Sequence, residues 1–153
     1  MNFPPELTSL NQARATFQEI WGYDDFRPPQ GEIVSSLLAG KDTLIVMPTG
    51  GGKSICFQLP ALLQTGLTLV VSPLVALMEN QVQELRDRHL PAALLHSQLS
   101  TPQRRQTMQS LQQNKLRLLY LSPETLLSKP VWEIISQPHI QINGLILDEA
   151  HCL

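Results

Sequence analysis

Apolar and polar positions follow two alternating modes along this chain. Residues 10–21 and 28–38 repeat at helical spacing, with Pro28 and Pro29 tolerated in the first turn of the second helix. Then comes a run apolar at nearly every position, Thr43-Leu44-Ile45-Val46-Met47, broken by Pro48 and a glycine cluster. Similar runs recur at 67–71, 116–121 and 144–147, with a weaker one at 92–95. Helical patterns separate them: 53–64, 74–88, 102–113 with Ser100 or Thr101 placed to cap it, and short pieces at 124–127 and 131–135. Short strands without a polar face, spaced by helices, predict an α/β fold, a parallel sheet covered by helices on both faces. In such sheets ligands gather beyond the carboxyl ends of the strands. Three of those ends carry suggestive residues: the loop from Pro48 to Ser54, Ser72-Pro73, and Asp148-Glu149.

Composition narrows the class further. The chain has 153 residues, 42% of them hydrophobic, which suits one compact domain with a real core. No apolar run approaches the roughly 20 residues that span a bilayer. The start, Met1-Asn2-Phe3-Pro4-Pro5-Glu6, lacks the basic and apolar stretches of a secretory signal, so a cytoplasmic location is expected. Eleven basic and thirteen acidic residues give a net charge of −2, so the chain is no polycation built to coat nucleic acid. Glutamine is frequent but scattered, as neutral helix surface. Cys56 and Cys152 form no disulfide framework or CxxC pair and are expected to be packing residues. No internal repeat or Gly/Ser linker is present.

The sharpest motif is Met47-Pro48-Thr49-Gly50-Gly51-Gly52-Lys53-Ser54 between a strand and a helix. Glycines let successive backbone N–H groups turn around phosphate oxygens, and the following helix adds its positive end. Lys53 can reach the β- and γ-phosphates, and the Ser54 hydroxyl can ligate Mg²⁺. Met47 stands where the general pattern has its first glycine, and the plain alternative is a glycine-rich turn. Asp148-Glu149-Ala150-His151 follows another strand. There the aspartate can hold Mg²⁺ through water and the glutamate can orient or deprotonate the attacking water. A third motif runs through Trp21-Gly22-Tyr23 and Phe26-Arg27-Pro28-Pro29-Gln30. An amide can pair with an adenine edge and an aromatic ring can stack on its face. An amphipathic helix with a core phenylalanine and a capping glutamine accounts for it equally well. His89, His96 and His139 show no ligand spacing and are expected in loops or on the surface, and Arg104-Arg105 and Lys115–Arg117 on a solvated face.

Together these segments resemble the RecQ family of superfamily-two DNA helicases. The run from Gly22 to Gln30 is similar to that family's motif 0, and that from Met47 to Ser54 to its motif I, methionine included. Ser72-Pro-Leu-Val-Ala-Leu-Met-Glu-Asn-Gln81 is similar to motif Ia. Tyr120-Leu-Ser-Pro-Glu124 is similar to the segment before motif II, and Asp148-Glu-Ala-His-Cys152 to motif II itself. The resemblance runs from about Phe17 to the end. It implies a RecA-like P-loop NTPase domain, with residues 1–40 as N-terminal helices carrying the adenine-recognition motif and 41–153 as a partial helicase ATP-binding domain. It also implies ATP and Mg²⁺ as cofactors and DNA as partner. Tyr23, Arg27 and Gln30 would contact adenine. Thr49, Gly50, Gly51, Gly52, Lys53 and Ser54 would hold the phosphates, with Ser54 and Asp148 on Mg²⁺, partly through water. Lys53, Asp148, Glu149 and His151 would be catalytic, His151 linking the nucleotide site to the DNA side, and Ser72 and Pro73 would approach the nucleic-acid backbone.

The family continues past motif II with the rest of this domain and a second one, so the chain is expected to be a truncated piece that binds nucleotide without unwinding DNA. Its last strand should then present an unpaired edge and an exposed apolar face. The expected role is 3′-to-5′ unwinding in a longer protein. The alternatives are a naturally short nucleotide-binding interaction module and a small-molecule P-loop kinase, which has no reason to carry the Phe26–Gln30 pattern with Asp148–His151.

Overall fold

A computed structural model describes residues 10–48 and 52–152, which form two compact units, Met1–Thr65 and Gly66–Leu153. Thr49, Gly50 and Gly51 lie outside the described residues.

The first unit is helical: α1 (Leu10–Trp21), α2 (Gln30–Leu38) and α3 (Lys53–Leu63). Ala13 and Phe17 of α1, Val34 and Leu38 of α2, and Leu59 and Leu63 of α3 form its core. Phe17 is the hinge of an aromatic group, its ring 4.8 Å from Phe26, 5.7 Å from Tyr23 and 6.0 Å from Trp21 between centroids. Helix α2 begins at Gln30 and not at Pro28. Proline restrains the residue before it from helical geometry, so the 27–29 segment turns first and the helix starts only after Pro29.

The expected strand at 43–47 is not a strand. Among the described residues it joins no ladder, and Leu44 and Val46 are 88% and 87% exposed. An apolar run becomes a strand only when a neighbour takes its backbone N–H and C=O groups, and no described residue does so here.

The second unit holds a four-stranded parallel sheet in the order β2-β3-β1-β4: β1 (Leu67–Val71), β2 (Ala92–Leu95), β3 (Leu118–Leu121) and β4 (Ile142–Leu147). Helices α4 (Val75–Asp87), α5 (Thr101–Gln112), α6 (Pro123–Leu126) and α7 (Lys129–Ile135) connect the strands. One face of the sheet carries Leu67, Leu69, Val71, Ala93, Leu95, Leu119 and Leu121, and packs on Leu111 of α5 and Val131 and Ile135 of α7. The opposite face carries Tyr120, whose hydroxyl donates to Gln81 Oε1 of α4 at 2.8 Å, so α4 covers that side. The α/β class with helices on both faces is as the pattern predicts.

Coverage is incomplete at β4. Among the described residues it pairs only with β1, and Ile142, Leu145 and Leu147 are exposed. Ser100 is the cap of α5, in a reciprocal box with Gln103.

Candidate functional site

In the first unit two of the predicted adenine residues, Arg27 and Gln30, meet Gly52 of the predicted phosphate segment. Gln30 is buried, and its side-chain amide makes paired hydrogen bonds to the protein's own backbone. Its Oε1 accepts from Arg27 N–H at 2.9 Å, and its Nε2 donates to Gly52 C=O at 3.2 Å. Gly52 caps α3 in the left-handed region, φ +77°, where a Cβ would be strained. A Cβ there would also run into the Gln30 amide, so the residue must be glycine on two counts. Lys53 and Ser54 follow as the first residues of α3, both half-buried. Tyr23 is exposed and leans on Phe17. Phe26 is held by Phe17 on one side and by the Arg14 guanidinium, 5.9 Å from its centroid. Arg14 also pairs with Asp25 at 2.6 Å and lowers its carboxyl below the ordinary range. Arg27 is exposed and brings its guanidinium to the Gly52 side.

In the second unit, each strand hands a buried polar residue to the carboxyl edge of the sheet. His96 follows β2, Ser122 follows β3, Ser72 follows β1 and Asp148 follows β4, and all four are buried. The ladder extends by one bond to reach them: Ser122 N–H to Leu95 C=O and Ser72 N–H to Leu121 C=O, both 3.3 Å, and Asp148 N–H to Val71 C=O at 2.9 Å. Every residue of the row keeps its polar atoms satisfied, as burial requires. The Ser72 hydroxyl accepts Leu74 N–H at 3.2 Å, and Ser122 shares a 2.7 Å bond with Thr125 at the start of α6. Asp148 Oδ1 accepts Glu149 N–H at 3.1 Å. Glu149 takes a positive φ of 53° and lies 3.5 Å from His151 Nε2.

Three expectations are corrected here. His96 is not a surface residue. Its Nδ1 accepts Gln98 N–H at 3.1 Å, which puts the proton on Nε2, and Nε2–H faces Glu79 at 3.1 Å. Arg104 is not purely solvated, because its Nη2 donates to His96 C=O at 2.9 Å. Cys152 is exposed and not a core residue, whereas Cys56 is fully buried as expected. Sequence reasoning also passed over Ser122. The signal existed: Ser122 and His96 each stand one residue past an apolar run, the same position that singled out Ser72 and Asp148.

A family model described as DEAD/DEAH box helicase matches residues 27–153. Among curated proteins, the chain is 68% identical over 145 residues to the ATP-dependent DNA helicase RecQ of Synechocystis, covering 95% of this chain and 30% of that protein. It is 42% identical over 148 residues to the probable ATP-dependent DNA helicase RecS of Bacillus subtilis, covering 96% and 28%. It is 40% identical over 150 residues to RecQ of Pasteurella multocida, covering 98% and 23%. The chain therefore spans less than a third of the length of these relatives.

Proposed function

Because the chain belongs to the DEAD/DEAH box helicase family, with RecQ helicases among its relatives, we propose that it is the ATP-binding part of a RecA-like motor domain. In the whole protein this motor would couple ATP hydrolysis to 3′-to-5′ separation of DNA strands. The observation that carries the reading is the Gln30 amide locked between Arg27 and Gly52, next to Lys53. Its acceptor and donor are the pair an adenine edge uses, and its partner is the glycine that starts the phosphate-binding helix. Binding adenine would trade the two backbone bonds of Gln30 for two to the base. That exchange would release the Gln30 side chain from the Gly52 carbonyl at the start of α3.

Lys53 would neutralise phosphate charge as a compact cation, and Tyr23 would lay its exposed ring along the base. The Ser54 hydroxyl and the Asp148 carboxylate would each offer Mg²⁺ a hard oxygen donor, the kind that ion takes while keeping several waters. Mg²⁺ when bound would offset charge on the β- and γ-phosphates. Glu149, held out of the strand by its positive φ, would orient the attacking water and take its proton. His151, against Glu149, would report that step toward the DNA side. Ser72, whose hydroxyl accepts Leu74 N–H and can still donate its own O–H, would approach the nucleic-acid backbone together with Pro73.

Calorimetry of Mg²⁺–ADP with the chain tests this directly. Binding is expected in the parent, lost in Lys53→Ala and weakened about tenfold or more in Gln30→Ala, a cost of roughly 1.4 kcal/mol. Unchanged affinity in a folded Lys53→Ala chain would reject the phosphate assignment.

A further inference from the structure

The turn after β4 gathers three different metal-ligating side chains. A carboxylate oxygen of Glu149, an imidazole nitrogen of His151 and the Cys152 sulfur all lie within 4.8 Å of one another. The backbone holds them there: Ala150–Cys152 is one turn of 3-10 helix, closed by Cys152 N–H to Glu149 C=O at 2.8 Å. We propose that Glu149, His151 and Cys152 form a site for a thiophilic divalent cation of the Zn²⁺ class, distinct in chemistry from the Mg²⁺ that accompanies ATP.

Ligand type favours this ion. One thiolate, one imidazole and one carboxylate are the donors Zn²⁺ takes in tetrahedral sites, whereas Mg²⁺ has little use for sulfur or nitrogen. Distances favour it as well. Ligands 2.0–2.3 Å from a tetrahedral ion stand about 3.3–3.6 Å apart. His151 Nε2 and Glu149 Oε2 are already 3.5 Å apart. The Cys152 sulfur lies within 4.8 Å of both, on an exposed side chain. Three protein ligands leave a fourth position for water. The other cysteine does not compete, since Cys56 is buried and its thiol is pushed up to about 11. Binding would release the Cys152 thiol proton to solvent. It would also withdraw Glu149 and His151 from the hydrolytic roles proposed above, so the cation would act as an inhibitor; that consequence, unlike the site, rests on the ATPase reading.

Co²⁺ is the probe for the test, because a thiolate ligand gives it a sulfur-to-metal charge-transfer band. The chain is titrated with Co²⁺ and then with Zn²⁺, with circular dichroism to show that each variant is folded. One equivalent of Co²⁺ should produce the band, equimolar Zn²⁺ should abolish it, and excess Mg²⁺ should leave it. Cys152→Ser should remove the band, and His151→Ala should weaken Zn²⁺ binding about tenfold or more, at least the loss that even outer-shell partners cause. No band in the parent, or a band that survives in Cys152→Ser, overturns the site. Mg²⁺–ADP calorimetry on the same samples reads the nucleotide assignment separately, since Cys152→Ser should leave that binding intact.

Discussion

Strands β3 and β4 are close to equals in composition and opposites in environment. Leu118, Leu119, Tyr120 and Leu121 are completely buried, with β2 and β1 as neighbours and helices on both faces. Gly144-Leu145-Ile146-Leu147 has one neighbouring strand, and Leu145 and Leu147 keep about half their surface. The run at 43–47 completes the series: also apolar, in no ladder among the described residues, and almost fully exposed at Leu44 and Val46. Hydrophobicity proposes a strand, but pairing and coverage decide how much stabilisation it brings. Each covered leucine contributes about 1.5–3 kcal/mol, and a half-covered one correspondingly less.

Truncation reads this contrast most strongly. Leu119→Ala should cost about 2–5 kcal/mol in urea unfolding, because a cavity would open under α5 and α7. Leu145→Ala should cost about 1 kcal/mol or less, since half its side chain never left water. Equal losses would mean that β4 is as covered as β3 in solution. Next in size is Gly52→Ala, at about 1–2 kcal/mol from the left-handed backbone alone, with further loss as the new methyl evicts the Gln30 amide. Thermal melts of Gly52→Ala with and without Gln30→Ala should show the two effects overlapping.

The thiols extend the same contrast to chemistry. Exposed Cys152 should be alkylated at pH 8 while buried Cys56 stays protected until the chain unfolds, as read by mass spectrometry. Burial raises the folded-state thiol of Cys56 from 9.0 to about 11. The unfolded chain therefore ionises first, and stability should fall as pH rises from about 9 toward 11. Cys56→Ala should flatten that fall. The smallest effect belongs to Asp25, whose carboxyl is lowered by the Arg14 side chain on an exposed surface. Its contribution is present above the ordinary carboxylate range and lost as pH drops through the lowered value. Asp25→Asn should remove a shallow acid-side slope, and salt should do much the same.

Most elements were legible because their signals are local. Helix α1 spans 10–21 and strands β1 and β2 span 67–71 and 92–95 as the periodicity predicts. The glycine cluster, the Asp148-Glu149 pair and the Ser100 cap are likewise written in adjacent residues. What escaped depends on residues far apart. The amide of Gln30 meets Gly52 from another helix, and neither spacing nor composition pairs them. His96 looked like a loop histidine because Glu79, Gln98 and Arg104, which make its burial tolerable, come from α4, the following turn and α5.

The sequence by itself determined the class of fold, most of the order of its elements and the family, because apolar periodicity and clustered motif residues act over a few positions. Only the tertiary structure decided which apolar runs are paired, which thiol is exposed and which polar groups line the carboxyl edge of the sheet. Those outcomes depend on burial, and burial is a property of neighbours that the chain brings together only when it folds.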